Sequence, residues 1–324
     1  MLLHLAGVGL LLWSWPEYPA LLGFGVLAYT LGLRHAFDAD HIAAIDNTVR
    51  KLAQQRTNPT GVGFFFSLGH SSVVCLMTVV VALAVSWAQT NLPALEYTGG
   101  LIGTSVSGVF LILIGVLNLI VLIQIFHIFL KMRRERHDDE QLERLLNSRG
   151  FVARLLNPLF KLVNRSWHVF PLGFLFGLGF DTASEVALLA IAAGASQSML
   201  PVGAILALPL LFAAGMSLLD TADGIFMTSA YQWAFRTPLR KIYYNMSVTA
   251  LSVAAALVIG VVELLQLLAP KLALTGGFWD WVQELDFGSL GYLLVGMFVL
   301  AWAISYGIWK LLRIEQRWNS LDSR

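Results

Sequence analysis

Charge is scarce in this sequence. Asp, Glu, Lys and Arg make up only 13% of its 324 residues, about half the ~25% of an ordinary soluble domain. So few charges cannot cover the surface of a soluble chain this long, which excludes that class. There is a single cysteine, Cys75, so no internal disulfide can form. Lying in an apolar run, it reads as a small packed residue. No G-x-x-x-x-G-K-[ST] string occurs, so the chain carries no nucleotide-binding loop of that type. No H-E-x-x-H occurs either, which removes the usual zinc-protease helix. At the N-terminus, residues 1–15 lack a basic leading region, and Trp15-Pro16-Glu17 stands where a small-residue cleavage site would be. That stretch is expected to be a short first helix that stays in the protein.

What is abundant is apolar residue, at 57%, together with 28 glycines, a combination typical of packed transmembrane helices. Polar breaks divide the chain into eight candidate spans, at 2–15, 19–48, 62–87, 100–130, 167–195, 201–230, 245–268 and 288–312. A straight span needs about 20 residues, so the second, fourth, fifth and sixth must tilt, break or protrude. The net charge of +1 hides a strong segregation. Loops 49–61, 131–166 and 231–244, with the tail from 310, hold 19 of the 21 Lys and Arg, whereas the opposite loops hold only Lys271. By the positive-inside rule this predicts an even number of spans with both termini cytoplasmic. The expected architecture is therefore all-α: one integral membrane domain over 1–324 with eight transmembrane helices. Residues 131–166 would form a cytoplasmic linker between two four-helix halves, and the mixed run 133–140, with His137, Asp138 and Asp139, reads as a solvated face. Phe37-Asp38-Ala39 in the second span and Phe180-Asp181-Thr182 in the fifth hint at an inverted repeat, because those spans run in opposite directions.

Ionisable side chains near the bilayer centre cost at least about 2.5–3.5 kcal/mol each, so their clusters mark function. Four occur here. The second span carries Arg34-His35-Ala36-Phe37-Asp38-Ala39-Asp40-His41, then Asp46 and Asn47; the third carries His70 between Ser67 and Ser71. The fifth carries Asp181 and Glu185, and the sixth Asp220 and Asp223. On a regular helix at about 100° per residue, His35, Asp38 and His41 share one arc of about 120°. Two imidazoles and a carboxylate suit a first-row divalent metal, whereas calcium and magnesium prefer all-oxygen cages. Asp40 falls on the far side of that helix, so either it serves another helix or the backbone breaks. Arg34 lies four residues before Asp38 and could simply pair with it. His70 could be an ordinary histidine bonded to a neighbouring serine. Asp181 with Glu185, and Asp220 with Asp223, are like charges three or four apart, which repel unless a cation or proton lies between them. Helix capping is the plain reading of Asp220 to Gly224. His127 and His168 fall at the cytoplasmic boundary, and His4 lies too near the terminus to place.

The string Arg34 to Ile42 resembles the signature of the nickel/cobalt transporter family, a His, four residues, then Asp-His; here these are His35, Asp40 and His41. Three further motifs of that family follow in order: Leu68-Gly69-His70-Ser71, Leu178 to Glu185, and Leu218 to Gly224. Ser184 and Ala222 depart from the threonines expected there. The resemblance covers about residues 20–310. It implies high-affinity uptake of Ni²⁺, Co²⁺ or both across the cytoplasmic membrane, and eight spans. It also implies that His35, Asp38, Asp40 and His41 are indispensable.

Together these readings point to a secondary transporter. Its metal site would comprise His35, Asp38, His41, Asp40 and His70, with Arg34, Asp181, Glu185, Asp220 and Asp223 along the path or in proton coupling. The expected partners are the metal ion as substrate and the lipid bilayer, with no cofactor, nucleic acid or nucleotide-binding subunit. Efflux and an intramembrane metalloenzyme are the competing readings.

Overall fold

The computed structural model describes residues 1–83, 85–134, 163–178, 183–197, 202–234 and 238–311. Every element among them is helical. In order these are α1 (Leu2–Ser14), α2 (Ala20–His35), α3 (Ala39–Gln54), α4 (Val62–Leu83) and α5 (Val85–Arg134). A 3₁₀ turn (Ser166–Val169) leads into α6 (Phe170–Phe176), α7 (Ala183–Gln197) and α8 (Val202–Ile205). The chain ends with α9 (Ala207–Ala234), α10 (Pro238–Lys271), α11 (Gly277–Gln283) and α12 (Phe287–Leu311). Four stretches are long and apolar enough to cross a bilayer: Val62–Val81, Tyr97–Ile123, Gly203–Gln232 and Thr249–Lys271. The bent pair α2–α3 makes a fifth when counted as one span. Outward-facing Val26, Leu76, Val109, Val258 and Leu300 are exposed, as side chains facing lipid tails should be. The chain is a multi-pass helical membrane protein.

The overlong second span breaks rather than tilts. α2 ends at His35 and α3 starts at Ala39, with a 55° bend between them. The amides of Phe37 and Asp38 bond back to the carbonyls of Arg34 and His35 at 3.0 and 2.9 Å, a tightened last turn that closes α2. Asp38 is extended (φ −65°, ψ 140°), and its carbonyl accepts the first bond of α3 from the Ile42 amide. Its carboxylate does not cap that helix; it is occupied by side chains described below.

α3 is the most enclosed helix. Residues 41–52 are all buried, including Asp46, Asn47, Thr48, Arg50 and Lys51. The loop expected at 49–61 therefore starts later, because α3 runs on to Gln54 and takes Arg50 and Lys51 inside. α9, α10, α12, α5 and α4 pack around it. One apolar core gathers Ile42, Ile45, Val49, Phe66, Ile259 and Phe298 around α3; another joins α1, α2 and α9 through Leu11, Leu21, Leu208 and Phe212. The polar cluster lies between them.

Two close helix approaches set its width. At Gly63 of α4, a Cβ would overlap the backbone carbonyl of Asp220 on α9, and at Gly69 that of Phe170. Without side chains at these positions, α4 lies against α9 and α6 closely enough to bring His70 inward. The linker residues 135–162, with His137, Asp138 and Asp139, lie outside the described residues, as do 179–182 with Asp181.

Candidate metal site

Three imidazoles from three helices converge. His35 closes α2, His41 stands in the first turn of α3, and His70 projects from the middle of α4. All three are buried, and one ligand nitrogen from each lies within 4.8 Å of the others. Ring centroids are 4.7 Å apart for His35–His41, and 4.8 Å for both His35–His70 and His41–His70.

Carboxylates flank the rings. His35 Nδ1 lies 2.9 Å from Asp38 Oδ2, an ion-pair contact without hydrogen-bond geometry, while Nε2 turns to the cluster. His41 Nδ1 donates to Asp220 Oδ2 on α9, at 3.3 Å. That leaves His41 Nε2 buried with no hydrogen-bond partner among the described residues. His35 Nε2 and His70 Nε2 are 3.0 Å apart. Glu185 of α7 reaches the same point, its Oε1 lying 2.8 Å from His70 Nε2 and 3.9 Å from His35 Nε2. Two nitrogens held at right angles about 2.1 Å from one cation would themselves be about 3.0 Å apart. The His35–His70 pair thus has the spacing of neighbouring ligands on a single ion. The ring of Phe66 meets His41 edge-on at 4.8 Å, and Phe212 lies 5.6 Å from His35. These apolar walls shield the cluster from water.

Asp38 stands behind His35 and also takes Arg34 Nη1 at 3.0 Å, the pairing that the four-residue spacing suggested. Arg34 reaches on to Asp286 Oδ1 at 3.6 Å; the arginine is 31% exposed and Asp286 58%. Asp40, in the first turn of α3, is half-buried and makes no hydrogen bond or ion pair among the described residues. Its charge lies in the first turn of α3, where it favours the amino end of that helix. Asp223, one turn beyond Asp220, keeps Oδ2 buried and without a partner among the described residues.

The sequence did not reveal a second polar group further along α3. Tyr231 donates to Asp46 Oδ1 at 2.7 Å, and Ser252 donates to Asp46 Oδ2. Asn118 of α5 and Arg50 both donate to Asn47 Oδ1, at 2.8 and 2.9 Å. Asp46 and Asn47 were visible as polar residues in an apolar span. Their partners are single polar residues on three other helices, which no local pattern picks out.

A profile described as high-affinity nickel-transport protein, NicO, matches residues 21–308. The chain belongs to this family. It is 60% identical over 319 residues to the nickel transporter NixA of Staphylococcus aureus, covering 98% of this chain and 94% of the relative. It is 53% identical over 307 residues to the nickel transporter NicT of Mycobacterium tuberculosis, covering 94% and 82%. The cobalt transport protein NhlF of Rhodococcus rhodochrous is 43% identical over 311 residues, covering 93% and 88%. No solved structure matches. As a member of the NicO family the chain is a transporter and not an enzyme, which sets the metalloenzyme reading aside.

Proposed function

We propose that this protein is a secondary transporter that takes up Ni²⁺ or Co²⁺ across the cytoplasmic membrane, binding the ion at His35, His41 and His70. The observation that carries this is the meeting of three buried imidazoles from α2, α3 and α4, a donor set suited to borderline first-row cations. Glu185 and Asp220 supply the negative charge that a dehydrated divalent cation requires. Asp38 acts through His35, against whose Nδ1 it lies. The nickel and cobalt named in the relatives are consistent with a site that accepts either ion.

Around this site we place eight spans with both termini cytoplasmic, supported by the one-sided distribution of Lys and Arg. The segment 131–166 then links two halves of one domain on the cytoplasmic side, and the short likeness between Phe37-Asp38 and Phe180-Asp181 favours an inverted pair. Asp181 belongs to the path on the strength of its motif. The membrane potential can drive the ion: an inward divalent charge gains about 4.6 kcal/mol per 100 mV, at about 2.3 per unit charge.

Radioactive Ni²⁺ uptake into proteoliposomes holding the purified chain tests this. Potential-dependent accumulation is expected in the parent protein and absent in His41→Ala. Normal uptake by His41→Ala would sink the site, and net extrusion under the same gradient would reverse the direction.

A further inference from the structure

We propose that Arg50 is the inner stop of the cation path, a tethered guanidinium that holds the cytoplasmic half shut and must let go before the metal can leave. This rests on the transport reading above.

Arg50 is fully buried, and a buried cation demands either full pairing or a reason. It has no full pairing. Its Nη2 donates to Asn47 Oδ1 at 2.9 Å, while Nε and Nη1 are buried without a hydrogen-bond partner among the described residues. Asp46, one turn earlier on the same face, would be the natural bidentate partner. Its two oxygens are instead taken by Tyr231 and Ser252. Arg50 is near enough to Asp46 to feel its charge, yet it is not locked to it. A guanidinium held by one bond, with two donors unsatisfied, gains partners by moving.

Its place in the bundle gives that movement a use. At about 1.5 Å rise per residue, Asp46 lies about 7.5 Å beyond His41 along α3, and Arg50 about 13.5 Å beyond it. α9 runs alongside in the same sense, since His41 meets Asp220 and Asp46 meets Tyr231. At the first of those levels and one turn beyond it, Asp220 Oδ1 and Asp223 Oδ2 are buried and bonded to nothing among the described residues. A cation released by the imidazoles therefore has unsatisfied carboxylate oxygens ahead of it, ending at a fixed positive charge. Repulsion halts it there while Asn47, held also by Asn118 of α5, keeps Arg50 in place. Arrival of the divalent ion at Asp46 sets its repulsion against the single bond to Asn47, and the guanidinium then swings toward the cytoplasmic end of α3.

The test uses the full chain with Cys75→Ala and a reporter, Ala43→Cys, which is buried on the face of α3 that carries Asp46 and Arg50 and lies on the metal side of both. Inside-out vesicles are treated with a membrane-impermeant thiol reagent, and Ni²⁺ binding is titrated on the purified protein. Slow labelling is expected in the reporter alone. Arg50→Gln should speed labelling at least tenfold while changing the Ni²⁺ Kd less than threefold, and Arg50→Lys should restore protection. Unchanged labelling in Arg50→Gln overturns the stop, and so does loss of Ni²⁺ binding, which would make Arg50 a structural residue. If Arg50→Gln fails to fold, Arg50→Lys decides: protection and uptake like the parent support the stop, and a leaky or inactive protein overturns it. Absence of Ni²⁺ binding in the parent protein would overturn the transport reading itself.

Discussion

His35 and His70 bring their Nε2 atoms to 3.0 Å of each other from α2 and α4, with Glu185 Oε1 2.8 Å from His70 Nε2. Three groups from three helices thus share one point. Removing either imidazole takes away one of the three ring nitrogens that meet there. His35→Ala and His70→Ala should each weaken Ni²⁺ binding by more than the roughly 10–100-fold typical of losing an outer-sphere partner. Isothermal titration of the purified variants reads this directly; an affinity within threefold of the parent would remove that histidine from the site.

Asp38 and Asp220 lie against the Nδ1 atoms of His35 and His41, and at the proposed site they would act on the metal through those rings. Asp38→Asn and Asp220→Asn keep the shape but lose the carboxylate that flanks each ring. Each should cost about 10–100-fold in affinity with helix content unchanged by circular dichroism. Asp38→Asn also frees Arg34 from its 3.0 Å pair, so Arg34→Gln combined with it should add little further loss. A double-mutant cycle that comes out fully additive would argue against a shared role.

Acidification should release the metal. An imidazole must be neutral to offer its nitrogen, so protons compete with Ni²⁺ at three ligands at once. Affinity is high above the histidine range and falls steeply as pH drops from about 8 to about 5. The sign is fixed: lower pH, weaker binding. A flat profile in that window would show that imidazoles do not hold the ion.

Ligand binding should stabilise the fold by mass action. Ni²⁺ or Co²⁺ at 100 times Kd adds about 2.7 kcal/mol, visible as a rise in Tm in detergent. Ca²⁺, which prefers oxygen cages, should give none, and the rise should vanish in His41→Ala.

Gly63 allows the α4–α9 approach at Asp220. Gly63→Ala should lower Tm, with an overpacking cost of about 1–3 kcal/mol, and should weaken metal binding because Asp220 supports His41. Gly9→Ala, where a Cβ meets nothing within 4 Å, is the control: it should leave metal binding unchanged and should not lower Tm.

Much of this was legible in the sequence because membrane burial makes charge conspicuous. His35, His41 and His70 stood out as ionisable residues inside apolar stretches, and the excess length of the second apolar stretch required a break, tilt or protrusion. The break itself, at 36–38, has no glycine or proline of its own. It follows from packing around Asp38, whose carboxylate is held by Arg34 and His35. The regular-helix arc of His35, Asp38 and His41 could not show that Asp38 would turn to the back of His35 while Glu185 and His70 came to the front. Those contacts are 115 and 35 residues apart in sequence, and only tertiary packing makes them. Arg50 and Lys51 were misplaced for the opposite reason. Counted as cytoplasmic loop charges, they belong instead to a buried helix.

The 55° bend at residues 36–38 separates His35 from His41. An ion gripped by both rings therefore acts as a strut across a joint, setting the angle between two rigid rods. At the proposed site, loading and unloading would then be mechanical events as well as chemical ones, because an ion bound to both rings would fix the angle between the rods. The same three residues that interrupt the helix give the ion leverage over the rods on either side.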